Sequence, residues 1–418
     1  MRNTYIIIPL KNTREIDINN YSISEAEKLD FDSECLSDMI RHKCKSDQGF
    51  VCRFSLKCDG LSATFRDGYK LDVQNLQLVF FENGIGFLIP MFCVKEAEIS
   101  RIYDFVNPGY LVDKEDDIQQ NFIKDLREKV LSGTGFDIYV EDEDKQLAIK
   151  EAYLLNAAFT DHRYDEVDEL DRDTFNVHKI IGVDEEFEDK VETDIAYTYG
   201  GRDVENKTYR WGCCISKQSI SFVYGPSNNN YNTETKSCIS TANEMSLDDM
   251  LDAAEDDLLL TILALYQRYT CMMLSETIFT RMKEEGGGGR AIRRIKSEVL
   301  RFKAYDTITP AQISRWSNVC ETYRYLLQMN GVDEALADVS EKVDLIDEEM
   351  ERVNAGHQNF FATVIAVFGL TSIVASVLQI VDYVQPGDPT MLLWSGISGT
   401  GILITLIAWI LMMWRNRR

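Results

Sequence analysis

The strongest concentration of anion-binding side chains lies between residues 281 and 303. Arg281, Lys283, Arg290, Arg293, Arg294, Lys296, Arg301 and Lys303 there outnumber Glu284, Glu285 and Glu298. Guanidinium groups match phosphate oxygens two at a time, and a helix beginning at Arg290 adds the positive end of its dipole. Arg290, Arg293, Arg294, Lys296 and Arg301 are therefore the candidate anion ligands. The run equally suits the solvated face of a helix. Three acidic stretches, Glu141–Asp144, Asp161–Asp173 and Asp184–Asp189, offer carboxylate oxygens to a divalent cation. They lack the spacing of an EF-hand loop and also read as solvated surface. The ten cysteines contain no CxxC pair, and the four histidines, His42, His162, His178 and His357, have no metal-ligand spacing. Neither GxSxG, GxGxxG nor a P-loop occurs, and Gly286–Gly289 reads as a flexible joint. No catalytic residue is nominated, and the chain is not expected to be an enzyme.

The elements that would carry these groups divide sharply along the chain. With 44 basic and 69 acidic residues the net charge is −25, which argues against a general nucleic-acid binder. The apolar residues gather at the C-terminus. Phe360–Val381 and Met391–Trp414 carry no charged side chain. The first is long enough, at roughly 33 Å, to cross a hydrocarbon core of about 30 Å. Between them Asp382–Thr390 holds two prolines and a glycine, so the pair predicts a transmembrane hairpin. Arg415, Arg417 and Arg418 follow the second span, whereas the loop has no Lys or Arg. The positive-inside rule then places both termini in the cytoplasm and the protein, as a multi-pass protein, in the inner (plasma) membrane. Cysteines in such a cytoplasmic portion are expected to be reduced.

Residues 1–240 read as an α+β ligand-sensing head. Tyr5–Leu10 suggests a first strand, and Leu76–Phe81 turning at Asn83-Gly84 into Ile85–Cys93 predicts a hairpin. A second pair is expected at Thr208–Ile215 and Ser219–Tyr224, with helices over Gln119–Ser132 and Asp144–Asn156. Residues 241–332 form a helical coupling region. Ser246 and Asp249 resemble a capping box before a helix, Leu247–Lys283, with one apolar face on Leu251, Leu258, Ile262, Leu265, Met272 and Ile278. Thr309-Pro310 starts another helix, expected to run to Met329 and to end at Gly331.

Residues 333–359 carry a heptad seam that continues into the first span. Leu336, Val339, Val343, Ile346, Met350, Val353, His357 and Phe360 alternate spacings of three and four. The seam could pack within the chain or form a parallel stalk of several subunits, which would place a pore on the symmetry axis. Within the first span Asn359 and Thr363 lie one turn apart, and Ser372, Ser376 and Gln379 share a face with Gly369, so these residues are the candidate pore lining. Helix–helix packing explains them as well, and is the default explanation for the small-residue cluster Ser395–Gly401.

This architecture resembles the CorA family of divalent-cation channels. Glu348–Gly369 is similar to that family's stalk-to-pore junction, with Asn359 near the inner mouth, and Leu76–Cys93 is similar to strands of its head. The local likeness covers roughly the last 85 residues. The resemblance implies a homopentameric funnel: an α+β cytoplasmic head, long stalk helices and a C-terminal two-helix hairpin, with residues 360–381 lining the pore. It also implies an outer loop at 382–390, a second span at 391–414 and a basic cytoplasmic tail at 415–418. The family's Gly-Met-Asn signature after the first span is absent; Val381-Asp382-Tyr383-Val384 stands there. Asp382 and Asp388 are the remaining candidates to attract Mg2+. Chains lacking the signature resemble the CorA-like effectors found beside type III CRISPR systems. That likeness implies an antiviral channel opened by a nucleotide messenger, adenylated S-adenosylmethionine, bound by the head. The arginines above would meet its phosphates, and Tyr209, Trp211, Phe222 and Tyr224 would supply aromatic rings for adenine. The expected partners are the bilayer, further copies of the chain and the messenger, with no direct nucleic acid. The alternative is a magnesium or other divalent-cation transporter gated by intracellular cation.

Overall fold

The computed structural model describes residues 1–384 except 15–17, 19–20, 24–25, 46, 96–97, 107–115, 140–151, 179–194, 203–207, 228–229, 233, 236, 239 and 285–288; side chains are further undescribed at residues 116–117, 237, 243, 281–284, 289–292, 347, 349–360, 371 and 378–384. Two compact units partition the chain. The first holds Met1–Glu284 with Ile295–Ser340, and the second Glu285–Arg294 with Glu341–Arg418.

An α+β arrangement makes up the N-terminal region. Its strands are β1 (Arg2–Asn12), β2 (Glu27–Leu29), β3 (Val51–Ser55), β4 (Ser62–Thr64), β5 (Lys70–Asp72), β6 (Asn75–Phe81), β7 (Ile85–Val94), β8 (Phe136–Ile138), β9 (Tyr153–Phe159), β10 (Ala196–Gly200), β11 (Trp211–Ile215), β12 (Ser219–Tyr224), β13 (Tyr231–Asn232) and β14 (Ser237–Cys238). The helices are α1 (Asp38–Lys43), α2 (Ile99–Val106), α3 (Asp116–Asp125), α4 (Val167–His178), α5 (Leu247–Glu284), α6 (Gly289–Arg301), α7 (Pro310–Ile313), α8 (Ser317–Met329) and α9 (Val332–Val384). One ten-stranded sheet runs β10-β11-β12-β9-β1-β7-β6-β3-β2, with β8 beside the far end of β1. Every pairing in it is antiparallel except β9 with β12.

The expected first strand is the centre of this sheet. Arg2 to Leu10 are all buried, because helices cover both faces and a doubly covered strand has no solvent side. Ile6, Ile8, Leu78, Phe80 and Phe92 pack under α2 and α3. On the same face Gly212 of β11 lies against Leu170 of α4, where a Cβ would fall 2.6 Å from the leucine Cγ. On the other face lie α5 and α8, the latter joined to β10 by a Thr198–Thr322 hydroxyl contact of 2.9 Å. The β6–β7 hairpin forms as expected. Gly84 takes φ 88° and donates its N–H to the Phe81 carbonyl at 3.0 Å. Asn83 adds a tether, accepting from Ile85 N at 3.2 Å and donating to Thr270 Oγ1 on α5 at 2.9 Å. The β11–β12 pair also forms.

Three expectations need correction. Tyr153–Asn156, expected at the end of a helix, begins β9, and Ala152 before it is a bend; residues 144–151 of that expected helix lie outside the described residues. The apolar run Tyr153–Phe159 is buried between β1 and β12, and that burial overrides local helical spacing. The helix expected from Thr309 to Met329 is two, α7 and α8, broken at Ser314, whose φ/ψ of −153°/160° is extended. The Thr309–Gln312 capping box does start the first of them. Third, α5 is buried all round in its central part rather than along one face: every residue from Leu258 to Tyr266 is at most 2% exposed. Its Ser246–Asp249 cap is present, with Asp249 N donating to Ser246 Oγ at 3.1 Å.

Two helices bear on membrane crossing. Leu247–Thr280, within α5, is long and apolar enough to span, but 78% of its apolar window is buried inside the protein, as in the core helix of a globular unit. Phe361–Val377, within α9, is a shorter apolar stretch. Most of its large side chains are open, with Ile365 69% exposed, Leu370 65% and Ile373 62%, whereas Val364 and Phe368 are half-buried. Met391–Trp414, the outer loop from residue 385 and the basic tail lie outside the described residues. Early in α9 the heptad seam is already covered within one chain, since Val339 is 1% exposed and Val343 8%.

Candidate functional site

A cleft of about 690 Å3 opens in the first unit. Phe159, Thr160 and Asp161 leave the end of β9 into it, and Tyr224, Gly225, Pro226 and Ser227 leave the end of β12. These are the carboxyl ends of the two parallel strands, where open sheets characteristically leave a crevice, because the chain must depart on either side. Gly225 allows the loops to close on one another. Its N–H donates to the Arg210 carbonyl at 2.6 Å, and a Cβ there would lie 2.6 Å from the His162 carbonyl oxygen. Arg210 and Trp211 supply one wall, the first turns of α5 with Asp249 and Ala253 another, and Trp316, Asn318 and Val319 at the start of α8 a third.

The aromatic side is a layered platform. Phe159 stacks on Tyr224 with centroids 5.5 Å apart and an interplanar angle of 22°, and Phe222 stacks on Tyr224 at 5.5 Å and 8°. Trp211 lies opposite Tyr224 in the ladder and 6.1 Å from Phe222. Its indole is half-buried, while Trp316 is 40% exposed.

The floor is acidic and comes from the third turn of α5. Three consecutive carboxylates reach different neighbours: Glu255 pairs with buried Arg53 at 2.5 Å, Asp256 accepts from Ser33 Oγ at 2.5 Å, and Asp257 accepts from Tyr224 OH at 2.5 Å. The Asp257 carboxylate sits deep among protein atoms although part of the residue still faces the cleft. Desolvation pushes its pKa up to about 7, the Tyr224 hydrogen bond pulls it down, and Asp256 raises it again. Burial also raises Asp256, and it pushes the Cys35 thiol, another lining residue, up to about 12. Asp161 accepts from Ala242 N at 2.5 Å, and Glu244 closes a capping box on Thr241.

The structure brings together some of the sequence-nominated residues and separates others. Trp211 and Tyr224 line the cleft, and Phe222 forms its buried underlayer. Tyr209 does not line it; it bridges to Tyr164 and packs 5.8 Å from Tyr199. Arg293 and Arg294 are exposed on α6 and Lys296 is half-buried. Arg301 pairs with Glu82 at 2.7 Å, so its guanidinium is already engaged. Arg290 is on α6, its side chain outside the described set. Of the candidate pore residues Thr363, Ser372 and Ser376 are exposed, and Ser376 Oγ donates to the Ser372 carbonyl at 2.9 Å, an internal satisfaction that apolar surroundings would demand. The side chains of Asn359, Gln379 and Asp382, and all of Asp388, are outside the described residues.

The acidic stretches act structurally where they are described. Asp173 accepts from Tyr164 OH and Asp171 from Tyr199 OH, each at 2.7 Å. Glu141–Asp144 and Asp184–Asp189 fall outside the described residues. Among the described residues no three His, Cys, Asp or Glu side chains are grouped to hold a metal, and all ten cysteines are free thiols. Sequence reasoning missed Asp256 and Asp257; the available signal was three consecutive acids directly before the uncharged run Leu258–Gln267. The chain matches no known protein-family model and no curated protein.

Proposed function

We propose that this chain is a CorA-like oligomeric membrane protein, of the group lacking the Gly-Met-Asn signature, whose water-exposed N-terminal region receives a nucleotide messenger and whose α9 carries the response into a bilayer. One observation carries the reading: most apolar side chains of α9 between Phe361 and Val377 are exposed, while Val364, Phe368 and Ala375 are half-buried along one strip of the helix. Phe361, Ile365, Val367, Leu370, Ile373, Val374 and Val377 are each between 37% and 69% exposed. At about 25 cal/mol per Å2, such exposure in water costs on the order of 5–10 kcal/mol, which lipid or neighbouring subunits would remove. With Met391–Trp414 as a second span, this gives the hairpin with both termini cytoplasmic in the inner membrane.

In this reading several copies, five by resemblance, place Asn359, Thr363, Ser372, Ser376 and Gln379 along a pore, with Asp382 and Asp388 at its outer mouth. Adenylated S-adenosylmethionine is the proposed messenger, and the ion leak it triggers is the antiviral act. A ligand opens such a gate only by binding its open and closed forms differently. The α6 arginines are the proposed phosphate ligands, so replacing Arg290, Arg293 and Arg294 together by Glu is expected to abolish the response while assembly persists; a retained response would remove them from the site.

The test is flux from proteoliposomes loaded with a magnesium-sensitive dye and a larger trapped fluorophore. Leakage that begins only on adding the messenger supports the proposal. Spontaneous magnesium entry that internal magnesium suppresses and nucleotide leaves unchanged would make the protein a transporter instead.

A further inference from the structure

The cleft at the ends of β9 and β12 has a charge balance that its own residues do not neutralise. Five carboxylates line it, from Asp161, Glu244, Asp249, Asp256 and Asp257, against one guanidinium, Arg210, whose Nε donates to the Gly201 carbonyl at 3.2 Å. Each carboxylate is met by neutral donors: Ala242 N, the Thr241 cap, the Ser246 cap, Ser33 Oγ and Tyr224 OH respectively. Among the described residues none of the five forms an ion pair. Glu255, one residue before Asp256, does pair with Arg53, so the helix supplies a counter-charge where the protein core needs one and none where the cleft opens. A partly buried negative site without its counter-ion is costly, and a cation entering from outside relieves it.

Aromatic walls narrow the kind of cation. Trp211 and Tyr224 stand on the sheet side and Trp316 at the start of α8, and ring faces attract both flat π-systems and positive charge. A bare metal ion is poorly served, because it wants several oxygens converging on one point and the described acids are not so grouped. The volume, about 690 Å3, is that of a small-molecule site.

We propose that this cleft binds a planar aromatic compound carrying a positive charge, with its ring against Trp211 and Tyr224 and its charge beside Asp256 and Asp257. The assignment concerns the first unit alone and stands or falls independently of the membrane reading. Binding weakens as pH falls from 8 to 6. Asp257 is faced by Tyr224 from β12, Asp256 on its own helix, the Cys35 thiol and the Cys213 thiol of β11, with Arg210 on the cleft wall. Burial holds the tyrosine and both thiols neutral over that range, so the change comes from Asp257 taking up its proton.

The test uses the full-length protein in detergent, titrated calorimetrically with 1-methylquinolinium, with uncharged quinoline at pH 8 and with naphthalene-2-sulfonate. The cation is expected to bind at least ~10-fold more tightly than quinoline, a difference of about 1.4 kcal/mol, and the sulfonate not to compete. Asp256→Asn with Asp257→Asn should erase the preference, and Trp211→Leu should weaken both quinoline compounds. Should the double variant fail to fold, Trp316→Ala changes a partly exposed position and should still lower cation affinity several-fold. Equal affinity for cation and quinoline, tighter binding of the sulfonate, no saturable binding of the cation, or binding indifferent to these substitutions would overturn the assignment. Cation binding without any messenger-dependent flux would sink the channel proposal and leave this one standing, and the reverse result would do the opposite.

Discussion

Two uncharged helical stretches in this chain are rich in apolar residues and have opposite surroundings. Leu258–Tyr266 in α5 is apolar but for Thr261 and is covered on every side by the sheet, α8 and the segment around Phe302. Phe361–Val377 in α9 is also without charge, though it holds two threonines and two serines, and leaves Ile365, Leu370 and Ile373 more than 60% exposed. Hydropathy treats them alike, and α5 even passes the length test for a membrane span that the described part of α9 does not. The difference lies in what flanks them. Glu255, Asp256 and Asp257 sit at one end of the α5 stretch and Gln267 at the other, each held by partners folded around the helix. Gln267 donates to Tyr323 OH at 2.7 Å and the Ile308 carbonyl at 3.0 Å, and accepts from Ile308 N at 3.0 Å. In α9 Ser376 Oγ donates to the Ser372 carbonyl, a contact within the helix itself. Polar groups with long-range partners mark a core helix, and polar groups satisfied within their own helix suit lipid.

The largest effect that would sharpen this contrast comes from placing one charge in each stretch. Ile262→Asp, at a fully buried position, is expected to cost about 5 kcal/mol or more and to unfold the first unit. Ile373→Asp should leave the melting temperature of that unit unchanged and reduce recovery of the chain in membranes, since an acid near mid-bilayer costs about 2.5–3.5 kcal/mol. Circular dichroism melts and membrane fractionation of both variants read the two effects separately. Equal loss of fold in both would abolish the distinction.

A smaller effect concerns the acid that the core of α5 tolerates. Asp257 has its folded pKa raised from the ordinary carboxylate value to about 7 by burial. The folded state therefore binds the proton more tightly than the unfolded one, and stability falls as pH rises from about 4 through 7. Asp257→Asn removes that titration. It should stabilise the protein by about 4 kcal/mol at pH 8 and by less than about half of that at pH 5, visible as melting curves that converge on acidification. A difference constant with pH would mean the carboxylate is hydrated. The smallest change is expected for Arg301→Ala. Its pair with Glu82 is more than half exposed on the arginine side, so the loss should be within about 0.5 kcal/mol and shrink further in salt.

Local signals were legible wherever the physics was local. The Asn83-Gly84 hairpin, the Ser246–Asp249 cap, the Thr309-Pro310 start and the single uninterrupted α9 all rest on residues adjacent in sequence. Tyr153–Asn156 reads as helix because a strand buried on both faces has no alternation, and only the pairing of β9 with β1 and β12 distinguishes it from a helix. The two-helix break at Ser314 carried no proline or glycine to announce it. The cleft was half legible: Trp211 and Tyr224 stood out as aromatics near one another, but Asp161, Asp256 and Trp316 are brought there from segments more than 50 residues apart. The acids in particular could not be joined to the aromatics without knowing that β9 and β12 run parallel.

The central claim is that Phe361–Val377 resides in a bilayer while α5 is a core helix of the water-exposed unit. Expressing the full-length chain, washing the membrane fraction with alkaline carbonate and assaying pellet and supernatant tests it directly. The account predicts that the wild-type chain stays in the pellet and is released only by detergent. Recovery in the supernatant as a soluble monomer would contradict it.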